Sequence, residues 1–181
     1  MLSSPEAEPA DMAKSAEELL AVHRENSDFI RRYGSVKLRM GMEEEAIGLL
    51  REAMDSDSSQ YRKVLEDLQG HQWPRQFACE AGLLEADCLM EAGEYQESYQ
   101  SLKDIMDRFD PDPRDLLERI DQLIHNRPDS RYYSMALKLE ASLHEFSAAR
   151  QRIYGGSGQL EGDELTDLKI ELAGLADMEG L

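Results

Sequence analysis

Basic charge is scarce in this chain: 20 lysines and arginines stand against 38 aspartates and glutamates, for a net charge of -18. Phosphate binding needs a basic surface, so nucleic acid is excluded as the main partner and an anionic membrane surface is disfavoured. Long apolar runs are missing too, and nothing approaches the roughly 18 residues of a membrane span. The first residues, MLSSPEAEPADMAKS, hold neither the basic nor the apolar part of a signal peptide, so a cytoplasmic location is expected. Cysteine is limited to Cys79 and Cys88. On one helix they would lie about 13 Å apart along the axis, too far for a bridge, and both are expected to be reduced core thiols. Strict alternation, β-branched enrichment and hairpin dipeptides are absent, which argues against strands.

Catalytic constellations are lacking as well. The histidines, His23, His71, His125 and His144, have no second histidine at helical ligand spacing, so no metal site is expected. His71 and His125 sit at helix ends, where imidazole can bond free carbonyls. Glu43-Glu44-Glu45 and Glu94/Glu97 fall at helix starts, where acids complement the dipole. The run Gly155-Gly156-Ser157-Gly158 has no preceding strand and no GK[ST] ending, so it reads as a linker and not a phosphate loop. No serine occupies a G-x-S-x-G elbow. No catalytic residue, metal or cofactor is assigned, and no enzymatic activity is expected.

What is present is apolar spacing of three and four. Residues 1–11, rich in proline, serine and glutamate, read as a disordered lead-in, with order beginning near Met12 and a single helical domain over 12–181. Ala78, Ala81, Leu84, Cys88, Leu89 and Ala92 form one stripe that Gly93 stops; Tyr95, Tyr99, Leu102, Ile105, Met106 and Phe109 form the next. Such a short connection predicts an antiparallel hairpin. Asp112-Pro113 supplies an N-cap and a first helical residue for Leu116, Leu117, Ile120, Leu123 and Ile124. An earlier helix runs up to Met40-Gly41; a second carries Ala46, Ile47, Leu50, Ala53 and Met54, and a third Tyr61, Val64, Leu65 and Leu68. Turns near Gly41, Gly93 and His144 lie 52 and 51 residues apart, an apparent internal repeat. A last helix, about 162–178 with Leu165, Leu168, Leu172 and Leu175, is expected to close the stack.

The hairpins resemble the tetratricopeptide repeat, a helix-turn-helix unit with small residues where its helices meet. In residues 28–58 these are Gly34, Gly41, Ala46 and Ala53; in 79–111 the matching positions are Ala86, Gly93, Ser98 and Ile105, with Tyr95 after the turn. The stretch 130–153 keeps Phe146 and Ala149 but has Leu137 and His144 where smaller residues are usual. The chain departs from the family's period of about 34 residues by a third helix inserted between hairpins, which leaves a divergent array or a three-helix unit open. The resemblance implies an all-α fold of antiparallel hairpins stacked as a short solenoid, with partners in a groove lined by the first helix of each hairpin. Those faces carry Asp28, Arg31 and Ser35, then Leu83, Asp87 and Met90, then Arg131, Ser134 and Lys138. The family's clamp for a C-terminal carboxylate uses lysine, asparagine and arginine there, and only scattered basic residues are kept.

Two further surfaces stand out. Arg24, Arg31, Arg32, Lys37 and Arg39 make a basic stretch in an acidic chain. It fits an acidic peptide, or pairing with nearby acids, or contact with the acidic segment from Glu161 onward. Trp73, beside Arg75 and Phe77, fits either an interface anchor or core packing at a helix junction. The expected function is a protein-protein interaction adaptor or scaffold that docks a peptide or helix of a partner. The alternative is a self-associating assembly protein, a homo-oligomer without enzymatic activity.

Overall fold

The computed structural model describes residues 22–23, 25–155, 160 and 162–178. Among these the structure is nine α-helices and one 3-10 turn with no strand, as the apolar spacing predicts. The lead-in at 1–11, the onset of order near Met12, Arg24, residues 156–158 of the glycine run and Glu161 lie outside the described residues. The helices group into two compact units that divide between Ala92 and Gly93.

The first unit holds α1 (Ser27–Arg39), α2 (Glu43–Ser56), a 3-10 turn (Ser58–Gln60), α3 (Tyr61–Gln69) and α4 (Arg75–Glu91). Asn26 caps α1, its side-chain oxygen accepting from the Phe29 amide at 3.1 Å. Helix α1 ends at Gly41, whose φ of 71° a side chain would strain. There the Met42 amide donates back to the Lys37 carbonyl and the Gly41 amide to Leu38, which satisfies the last carbonyls and folds α2 onto α1. The helices meet closely at Gly34, where a Cβ would come within 3.1 Å of the Leu50 side chain. Ile47, Leu50, Val64, Leu68, Leu84 and Cys88 make the core, with Trp73 and Phe77 packed against it. Burial of each such aliphatic side chain contributes about 1.5–3 kcal/mol.

The second unit holds α5 (Tyr95–Arg108), α6 (Pro113–Asn126), α7 (Ser130–Ser142), α8 (Phe146–Gly155) and α9 (Asp163–Met178). Asp112 caps α6 with Pro113 at the first turn, as its sequence signal requires. Helix α9 occupies the segment where a final helix is expected. Helix α7 is the centre, with Tyr132, Tyr133, Met135, Ala136, Leu137, Leu139 and Glu140 all buried. It packs on α6, α8 and α9. Arg152 of α8 ties three helices: it donates to Glu140 of α7 at 2.8 and 3.0 Å and also to Asp121 of α6.

Helices begin at Ser27, Tyr61, Tyr95, Ser130 and Asp163, at intervals of 34, 34, 35 and 33 residues. This corrects the apparent repeat of about 52. Gly41, Gly93 and His144 do share the left-handed conformation, with φ of 71°, 76° and 58°. Each interval between them spans three helices, one and a half of the shorter periods, so the middle turn joins the second helix of one pair to the first of the next. Of the two helices that look inserted between hairpins, α3 is the first helix of one period and α6 the second helix of the next. Within each unit, side-chain bonds between residues 35 to 37 apart link these first helices: Arg31 to Asp67, Lys63 to Asp28, Arg131 to Gln96 and Ser134 to Glu171.

Candidate functional site

The basic stretch of α1 is mostly paired inside its own unit. Arg31 donates to Asp67 of α3 at 2.7 Å and lies 3.6 Å from Asp28, and Ser35 donates to the same Asp67 oxygen at 2.6 Å. Arg32 pairs with Asp28 at 2.7 Å while remaining 71% exposed. The hydrogen bond from Lys63, with the charges of Arg32 and Arg31, holds the Asp28 carboxyl below its ordinary range. Lys37 is buried, and its contact with Glu45 at 2.7 Å raises its pKa against the cost of burial. Arg39 is exposed. On the face expected to line a groove, Arg31 and Ser35 are therefore taken up by Asp67 of α3, while Asp28 of α1 itself pairs with Arg31 and Arg32.

Trp73 is half-buried, its indole N–H donating to the Leu68 carbonyl at 2.9 Å while its ring meets His71 edge-on at 4.7 Å. It seals the α3–α4 joint. The His71 imidazole faces Glu43 at 3.6 Å, whereas a bond to a free carbonyl is what its helix-end position suggests. On α4, Leu83 and Met90 are buried and Asp87 is half-buried, so of that trio no side chain is fully exposed. Burial also governs Cys88, whose Sγ lies 3.3 Å from the Met54 sulfur; desolvation, then the charge of Asp87, pushes its thiol up to about 12.

In the second unit the predicted residues gather around α9. Arg131 grips Asp129 with two nitrogens at 2.8 and 2.6 Å, donates to Gln96 at 2.6 Å and lies over the Tyr99 ring. That grip holds the Asp129 carboxyl below its ordinary range and raises the guanidinium. Lys138 and Ser134 both reach Glu171, at 3.3 and 2.8 Å. Between these helices lies a groove of about 250 Å³, lined by Tyr99 of α5, by Ser130, Arg131 and Ser134 of α7, and by Glu164, Asp167, Leu168 and Glu171 of α9. The acids recur at three and four residues, which puts them on one face of α9. Because Arg131 is already matched by Asp129 and Glu171 by Lys138, Glu164 and Asp167 give the groove its excess negative charge.

The opposite flank of α9 has the opposite sign. A groove of about 570 Å³ between α8 and α9 is lined by Ser147, Arg150 and Tyr154 of α8, by Lys169, Leu172, Ala173 and Ala176 of α9, and by His144 from the turn before α8. Among the described residues no carboxylate lines it. Lys169 lies 5.3 Å from the centre of the Tyr154 ring, which is 64% exposed.

Sequence reasoning placed Arg131, Ser134 and Lys138 on a groove and marked the segment from Glu161 onward as acidic, but it identified neither the acidic groove face of α9 nor the basic one. The spacing of Glu164, Asp167 and Glu171 was the available signal for the first. For the second it was His144 at a turn where glycine is usual, followed by Ser147, Arg150 and Tyr154 on one helical face. Among the described residues no group of three or more His, Cys, Asp or Glu is placed to hold a metal ion, and no helix is long and apolar enough to cross a membrane. No known family model matches the chain, and no curated protein is similar to it.

Proposed function

We propose that this protein is a protein-interaction scaffold built from tetratricopeptide-like helical pairs, and that the groove along α5, α7 and α9 docks a basic segment of a partner protein. Helix starts 33–35 residues apart support the family reading, since the repeat has a period of about 34. The observation that carries the functional reading is the groove itself. It is lined by one helix from each of three successive periods, the helices on which this family's partners lie, and three carboxylates of α9 face into it. Complementary charge there steers a cationic segment and fixes its register, while the half-buried Tyr99 offers apolar contact.

The test is fluorescence anisotropy of a labelled lysine–leucine peptide titrated with the full chain. Glu164 and Asp167 are exposed, and each such rim charge contributes about 0.2–1 kcal/mol. Reversing both, Glu164→Lys with Asp167→Lys, turns attraction into repulsion and should weaken binding about tenfold to a hundredfold. Equal binding by the reversed variant removes the groove as the site.

A further inference from the structure

We propose that the groove between α8 and α9 is a second docking site, for an acidic peptide segment of a partner protein. It shares with the proposed function only the premise that this protein binds peptides.

Charge supplies the first argument. In a chain of net charge -18, some cations are taken up by acids, as Arg31, Lys37, Arg131 and Arg152 are, and others, such as Arg39, Arg51 and Arg75, have no carboxylate within ion-pair distance among the described residues. Arg150 and Lys169 have no carboxylate in that range among the described residues, and they line the same groove. Two unmatched cations facing one space hold a local potential opposite to that of the molecule, and a carboxylate-bearing ligand is what lowers it.

Shape supplies the second. Ser147, Arg150 and Tyr154 stand three and four residues apart on α8, opposite Lys169, Leu172, Ala173 and Ala176 on α9. The two alanines let a docked backbone approach closely, and the exposed Tyr154 ring is the kind of aromatic anchor that dominates interfaces. A trough running along two helix faces presents repeating positions, which suits an extended or helical peptide with carboxylates beside an apolar residue.

Backbone strain supplies the third. His144 forms the same turn as Gly41, with its amide donating to Ala141 and that of Glu145 to Glu140, yet it does so at φ 58° with a full side chain. A left-handed non-glycine residue is disfavoured, and such strain collects at functional positions. The imidazole it retains lines the groove.

The probe is a labelled glutamate–leucine peptide titrated with the full chain in an anisotropy assay. Binding is expected, weakening with added salt. Arg150→Glu with Lys169→Glu should weaken it about tenfold or more, while leaving the lysine–leucine probe unaffected. His144→Gly should raise the thermal midpoint and still weaken the acidic probe, which keeps the test decisive if the double reversal fails to fold. The proposal is overturned if wild type does not bind the acidic probe, if folded Arg150→Glu/Lys169→Glu binds it equally, or if anionic phosphatidylserine vesicles bind and the peptide does not. Binding of the basic probe alone defeats this inference and leaves the scaffold standing; binding of neither probe defeats both.

Discussion

Replacing Arg152 by methionine should destabilise the second unit more than any other single change to its polar groups. Glu140 is 2% exposed and Arg152 18%, and the guanidinium supplies both hydrogen bonds to the Glu140 Oε1. The other oxygen, Oε2, has no hydrogen-bond partner among the described residues. Burial pulls the Arg152 pKa down, and the hydrogen bonds to Glu140 and Asp121 more than offset it, so the guanidinium ends above its ordinary value. Arg152→Met therefore strands a carboxylate in the core, a loss of about 3–5 kcal/mol. Glu140→Gln keeps an oxygen to accept the same bonds and leaves Arg152 its contact with Asp121; about 1–2 kcal/mol is expected. The double variant Glu140→Leu/Arg152→Met removes both charges and the orphaned oxygen, and should fall within about 1 kcal/mol of wild type. Urea unfolding followed by far-ultraviolet circular dichroism reads the three midpoints. Trp73 lies in the other unit, so its fluorescence is no substitute. A double variant as unstable as Arg152→Met would refute the electrostatic account and show that side-chain volume, not charge, decides the site.

Cys88 should resist iodoacetamide at pH 8 until the chain unfolds, because its thiol is buried and pushed up to about 12; peptide mapping of alkylated cysteines checks this, with half-buried Cys79 reacting first. The Asp129 carboxyl is held below its ordinary 3.8 by the hydrogen bond from Arg131. A depressed folded pKa contributes stability above the unfolded value that is lost as pH falls through the folded one. Asp129→Asn should therefore flatten the fall in stability below about pH 4, read from urea midpoints across that range. Gly34→Val should cost about 1–3 kcal/mol, since even its Cβ would crowd Leu50 at 3.1 Å; an unchanged midpoint would mean that α1 and α2 separate easily.

Much of the helical framework was legible because its signals are local. Asp112-Pro113 marks a helix start through backbone chemistry alone, and Gly41 marks a left-handed turn for the same reason. The two-helix period was hidden by that very clarity. The strongest turn markers occur every third helix, while at the joint from α3 to α4 Gly70 ends the helix in the right-handed conformation and α3 is only nine residues long. Pairing was hidden for a different reason. The basic residues of α1 are visible in sequence, but Asp67, which accepts from Arg31 and Ser35, lies 36 residues beyond Arg31 and reaches it only once α3 packs. The two grooves depend likewise on packing: Arg150 and Lys169 share a space because α8 and α9 lie side by side.

The most direct measurement is a nuclear magnetic resonance titration of the isotope-labelled full chain with the lysine–leucine peptide, following backbone amide shifts residue by residue. Shifts concentrated at Tyr99, Ser130, Arg131, Glu164 and Asp167, and diminished by Glu164→Lys/Asp167→Lys, are the predicted result. Shifts centred instead on the paired basic face of α1, or no saturable shift at all, would contradict the claim that this groove is where the protein holds its partner.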